Sequence, residues 1–101
     1  MVGLKGRRSR LDLYLEVLGA IKNGTEKPTR IMYEANLSWR ILNEVLSSLT
    51  VQDLVEEVDV SDSRDKRTNT VYRITGKGEA LLRYFHHAEQ LLNLDYSATI
   101  P

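Results

Sequence analysis

From Leu11 onward the apolar positions recur at helical spacing: Leu11, Tyr14, Leu15, Leu18 and Ile21 form one stripe, and Leu13, Val17 and Ala20 a second. Residues three and four apart share a helix face, so the two stripes predict a first helix that is apolar over much of its circumference. Asn23-Gly24 should end it, since both residues accept left-handed backbone. Thr29, just after Pro28, is a good N-cap for a short second helix through Arg30, Ile31, Met32, Tyr33, Glu34 and Ala35. Asn36 then suits a tight left-handed turn, Leu37 supplies an apolar plug, and Ser38 caps a third helix. In that helix Ile41, Leu42, Val45, Leu46 and Leu49 lie on one side. At about 100° per residue, Arg40, Asn43, Glu44 and Ser47 project from the other, with Trp39 on the flank near the start. Beyond Thr50 the period shortens to two. Leu54, Val55, Val58 and Val60 alternate roughly with acids, and Thr70, Val71, Tyr72, Arg73, Ile74 and Thr75 make a second β-rich run. The intervening SDSRDKRTN is polar, which predicts a β-hairpin with a long exposed tip. Gly76-Lys77-Gly78 opens a last helix to about Asn93, whose Leu81, Phe85, Ala88 and Leu92 fall on a short heptad seam.

Two helices joined by such a turn form a helix-turn-helix unit, and a two-stranded hairpin after it is the winged arrangement. The expected fold class is therefore mainly α with a β-hairpin wing: a winged helix-turn-helix plus a long C-terminal dimerisation helix. The expected organisation is a basic flexible arm over 1–10, a winged helix-turn-helix domain over 11–75, the dimerisation helix over 76–94 and a flexible tail over 95–101. At 101 residues and 42% apolar the chain supports one core, not two.

Composition narrows the function. Fourteen Lys plus Arg balance fourteen Asp plus Glu, but unevenly: Lys5, Arg7, Arg8 and Arg10 crowd the start, while Asp53, Glu56, Glu57, Asp59, Asp62 and Asp65 gather in the middle. With no cysteine, neither disulfides nor thiolate-held zinc are available. No apolar run approaches bilayer length and the start lacks a signal-peptide stretch, so a cytoplasmic protein is expected. Catalytic groups are scarce. His86 and His87 are adjacent, so on a helix they point about 100° apart and cannot share one metal. Gly76-Lys77-Gly78 lacks the upstream glycine and the following Ser or Thr of a phosphate loop, and reads as a strand-to-helix turn. No enzyme activity, metal or cofactor is expected.

What remains is a set of cations and amides suited to double-stranded DNA. On the third helix, Arg40 can reach guanine O6 and N7 and Asn43 can pair with adenine N6 and N7 in a major groove; Ser47 lies on the same side, Ser38 stands at the cap, and Trp39 on the flank can donate its indole N–H to a phosphate. Glu44 is adverse there unless it accepts from cytosine N4 or pairs with a neighbour such as Arg40. Arg64, Lys66 and Arg67 at the wing tip suit phosphates or a minor groove. Arg30 can reinforce the amides opening the second helix against a phosphate, and Arg7, Arg8 and Arg10 form a candidate minor-groove arm. Each group also has a plainer reading, as a solvated helix face, a charged loop or a basic tail. A protein-interaction module on a winged-helix scaffold is the competing function, motivated by acidic Glu56, Glu57 and Asp59 and by zero net charge.

The segments KPTRIMYEANLSW and VYRITGKGEALL resemble those of the small archaeal winged-helix DNA-binding proteins of the "ten-a" type, also read as transcriptional regulators, over about residues 10–93. The first segment is fairly specific; the Tyr-x-Ile-Thr-x-Lys-Gly of the second occurs in many winged helices. The resemblance implies a homodimer joined by the last helices, with Leu81, Phe85, Ala88 and Leu92 at the pairing positions and Tyr84 and Leu91 widening the seam. Leu82 points instead toward the domain, and the same helix has the alternative of folding back on Leu13, Val17 and Ala20. A two-fold dimer sets its third helices toward half-sites about 34 Å apart or a multiple of that. Where that family carries a glycine-containing turn after the third helix, this chain reads TVQDLV, which leaves the wing's trajectory open.

Overall fold

A computed structural model of the chain describes residues 9–61 and 68–92. The element order is α1 (Arg10–Lys22), α2 (Pro28–Ala35), α3 (Trp39–Val51), β1 (Val55–Ser61), β2 (Thr68–Ile74) and α4 (Gly76–Leu92). The fold is mainly helical with one antiparallel hairpin, as the hydrophobic pattern implies.

Helix α1 starts one residue earlier than the apolar stripe suggests. Ser9 caps it in a reciprocal box: its hydroxyl accepts from the Asp12 N–H at 3.1 Å, and the Asp12 carboxylate accepts from the Ser9 N–H at 3.0 Å. Arg10, assigned by sequence to the flexible arm, is thus the first residue of a helix. The end of α1 is as expected: Gly24 takes φ +101°, and the Thr25 N–H reaches back to the Ala20 carbonyl at 2.9 Å. Helix α2 departs from expectation in its cap. Thr29 lies inside the helix; Lys27 is the N-cap without a side-chain bond, and Pro28 fills the first turn, where its missing N–H costs nothing. Asn36 is left-handed at φ 54° and Ser38 caps α3 by accepting from the Ile41 N–H at 3.2 Å.

After α3 the place of the missing glycine is taken by Asp53, with φ 62°. The Leu54 N–H bonds the Leu49 carbonyl at 2.9 Å and the Asp53 N–H the Thr50 carbonyl at 3.0 Å, the paired bonds of a Schellman end. The chain then turns directly into β1. β1 and β2 pair in register from Val55 with Ile74 to Ser61 with Thr68. A single backbone bond, from the Tyr72 N–H to the Glu26 carbonyl at 2.9 Å, ties β2 to the segment before α2.

The core lies where α1, α2 and α3 meet the root of the hairpin: Val17, Leu18, Ile21, Ile31, Leu42, Val45, Leu46, Leu49, Leu54 and Val55 are all buried. Each fully buried Leu or Ile contributes roughly 1.5–3 kcal/mol relative to exposure. α4 adds Leu81 and Leu82 to this core, both partly buried, whereas Tyr84, Leu91 and Leu92 stay exposed. Among the described residues no helix is long and apolar enough to cross a membrane, and no group of His, Cys, Asp and Glu is placed to hold a metal ion.

Candidate nucleic-acid interface

The apolar side of α3 is spent on the core, since Leu42, Val45, Leu46 and Leu49 are buried; the other side is therefore fixed outward. Arg40, Asn43, Glu44 and Ser47 are exposed along that side, Ser38 caps its start, and Trp39 is half-exposed at 50%. The orientation expected for Arg40, Asn43 and Ser47 is what the fold produces. Glu44 has the neighbour it needs: Arg40 Nε lies 3.7 Å from its carboxylate, one helical turn away. The Arg40 side chain is 86% exposed, so this pair is weak and the guanidinium is free to turn to another anion.

Arg10 joins the same neighbourhood from α1. Its guanidinium donates to the Tyr14 hydroxyl at 3.5 Å, and Tyr14 in turn donates to Ser48 Oγ on α3 at 2.6 Å. The Tyr14 bond, with a smaller contribution from the charge of Glu44, holds Arg10 above its ordinary pKa. Tyr14 itself sits below the ordinary tyrosine value, first through Ser48, whose hydroxyl can turn to donate to a phenolate, and then through Arg10. Arg10 is therefore held beside the α3 face rather than carried on an arm.

Between α3 and the hairpin runs an open cleft of about 410 Å³, lined by Trp39 and Asn43 on one wall, Asn69, Thr70, Tyr72 and Glu57 on the other, and Lys27, Pro28 and Thr29 at its end. Glu57 accepts from the Tyr72 hydroxyl at 3.2 Å. Partial burial first, and then the Glu57 charge, raise the Tyr72 pKa. Sequence periodicity misses Lys27, Asn69 and Thr70 here. Pro28 was the signal available for Lys27, because a proline in the first turn puts the residue before it at the cap. Arg30 is exposed on α2. Arg7, Arg8, Arg64, Lys66 and Arg67 lie outside the described residues.

On α4 the expected seam divides. Leu81 packs on the core, Phe85 and Ala88 are half-buried, and Tyr84, Leu91 and Leu92 are 74%, 74% and 69% exposed. Phe85 and Leu82 share with Leu15 of α1, a residue of its first apolar stripe, a second groove of about 410 Å³.

The sequence profile described as winged helix-turn-helix matches residues 7–93. An uncharacterized protein of Methanocaldococcus jannaschii is 30% identical over 89 residues, covering 88% of this chain and 37% of its own length. A second uncharacterized protein of that archaeon is 28% identical over 87 residues, covering 86% of this chain and 79% of its own. The chain thus spans little more than a third of the first of these relatives. Among solved structures, a PadR-like transcription factor from Bacteroides fragilis superposes with a TM-score of 0.74 at 20% identity, covering 97% of this chain and 99% of that one. Streptococcus pneumoniae FabT, solved in complex with DNA, superposes with a TM-score of 0.64 at 16% identity, covering 97% and 70%. At these identities the superpositions establish the fold, and the profile match over most of the chain establishes kinship: the protein belongs to the winged helix-turn-helix family, with relatives among the archaea.

Proposed function

We propose that the protein binds double-stranded DNA as a homodimer in the cytoplasm, as a transcriptional regulator or chromatin-type protein. α3 enters the major groove, and the wing lies on the backbone or in a minor groove. The observation that carries this reading is the outward face of α3, where Arg40, Asn43 and Ser47 are all exposed and no other part of the described chain covers them. Arg40 and Asn43 supply base-edge contacts and Ser38, Trp39 and Ser47 flank them. Arg30 with Lys27 at the start of α2, and Arg64, Lys66 and Arg67 of the wing tip, supply phosphate contacts. Arg7, Arg8 and Arg10 supply minor-groove contacts. FabT being a winged helix crystallised on DNA supports the docking mode by analogy of fold.

Pairing runs through the exposed end of α4. Tyr84, Leu91 and Leu92 form its centre, with Phe85 and Ala88 at its margin and Leu81 engaged mainly with the core. Burying three large apolar side chains yields several kcal/mol at about 25 cal/mol per Å², before the costs of association.

Fluorescence anisotropy with labelled duplex DNA at low and moderate salt tests the proposal. Binding that weakens steeply with salt is the expected result, and Arg40→Ala costs about 1–3 kcal/mol on a preferred site. Absent or salt-independent binding refutes it. A second reading, a protein-binding module, is favoured by exposed Glu56, Glu57 and Asp59 on β1. Retention of one stoichiometric protein from nuclease-treated extract, with no nucleic acid, would select that reading.

A further inference from the structure

The C-terminal end of α3 is held from two sides. Helices end with carbonyls that lack intrahelical partners. Here the carbonyls of the turn that follows α3 are taken up by two residues at the start of α4, Thr75 and Lys77. Lys77 Nζ donates to the Gln52 carbonyl at 2.7 Å, the Thr75 hydroxyl donates to the Asp53 carbonyl at 2.6 Å, and the Thr75 N–H donates to the Leu54 carbonyl at 3.1 Å. Thr75 Oγ1 also accepts from the Gly78 N–H at 3.0 Å, so one side chain caps α4 while gripping the end of α3. On the opposite side the Gln52 amide donates to Ser48 Oγ at 3.0 Å, the same oxygen that accepts from Tyr14 of α1.

Lys77 stands apart within this clamp. Its ammonium is the one full charge in it, and it meets the negative end of the α3 dipole, so its bond is the charge-assisted one. It holds the Gln52 carbonyl while Thr75 holds that of Asp53, so it adds a second side-chain anchor between the two helices. We infer that Lys77 is a positioning residue that locks α4 to the C-terminal end of α3, making the outward α3 face and the exposed end of α4 parts of one rigid body. Its functional consequence rests on the proposed reading: in a homodimer paired through α4, this lock sets the angle at which each α3 meets its half-site.

The chain has no cysteine of its own, so a pair of spin labels can be placed at Ser47→Cys on α3 and Gln90→Cys on α4, both exposed positions. Labelled chains are diluted into unlabelled protein so that only distances within one chain are read by double electron–electron resonance. With Lys77 present, a single narrow distance is expected. Lys77→Met should lose that single peak for a broad or split distribution, and Lys77→Arg, which restores a cationic donor, should recover it. Lys77→Gln, a neutral donor of shorter reach, serves as a second variant should the methionine variant fold poorly, and it too should broaden the peak. A distribution of unchanged width in folded Lys77→Met or Lys77→Gln overturns the inference. No DNA is present in this measurement, so failure to bind DNA would refute the proposed function without touching this result.

Discussion

Gly78→Ala is the substitution whose cost can be worked most directly from the geometry. A Cβ on Gly78 would overlap the Leu54 carbonyl oxygen, which is backbone, and would stand 2.7 Å from Ile74 Cγ1. Neither neighbour yields easily, because the Leu54 carbonyl is held by the Thr75 N–H and Ile74 pairs with Val55 at the hairpin root. Overpacking of this kind costs about 1–3 kcal/mol, and a rigid backbone neighbour puts it at the upper end. Replacing glycine by alanine in a helix returns about 0.5–1 kcal/mol. The net loss is about 2 kcal/mol, or about 8–16 °C in Tm for a domain of this size. Gly19→Ala is the matched control: it is also helical, a Cβ there meets nothing within 4 Å, and the same propensity gain stands alone. Thermal unfolding followed by circular dichroism, at one fixed protein concentration because Tm depends on it if the chain pairs as proposed, should lower Tm for Gly78→Ala and raise it slightly for Gly19→Ala. A Gly78→Ala protein as stable as wild type would refute the packing argument.

Three further outcomes follow from other parts of the molecule. Asp53→Gly should stabilise the fold by about 0.5–1 kcal/mol, because it relieves a left-handed side-chain residue at the end of α3; chemical denaturation midpoints check this, and a loss of stability would contradict it. Tyr14→Phe removes the phenol that joins Arg10 to Ser48 and should cost about 1 kcal/mol by the same assay. Tyr72 has its folded-state pKa raised, so its contribution to stability is complete below the ordinary tyrosine value and fades as pH rises through the folded value. Wild type should therefore lose more stability than Tyr72→Phe across that alkaline window. Ultraviolet titration should find Tyr72 ionising last of the perturbed tyrosines, with Glu57→Gln bringing it only part of the way back, since burial is the larger cause.

The fold was legible in the sequence where side-chain period and chain punctuation agree. Asn23-Gly24, Asn36 and Ser38 each do locally what their residue types favour, and the α3 stripe fixes its outward face without any tertiary knowledge. Local signals misled where two of them competed. Pro28 outranked Thr29 in setting the start of α2, and Ser9 with Asp12 turned the end of a basic arm into a helix cap. The absence of glycine after α3 proved no obstacle, because aspartate also tolerates left-handed backbone. What the sequence hides is contact between distant positions. Tyr14 and Ser48 meet from different helices, Lys77 closes on Gln52, and Gly78 presses on Leu54; no spacing rule contains those pairs. The division of the α4 seam has the same origin, since only the packing of Leu81 on the core decides which apolar residues are left over.

If the outward side of α3 meets a duplex, amide chemical-shift mapping of isotopically labelled protein titrated with duplex DNA should reveal it. The largest salt-sensitive shifts are expected at Trp39, Arg40, Asn43 and Ser47, with smaller ones at Lys27 and Arg30. Shifts confined to β1 or to the far end of α4, or none at all, would contradict it.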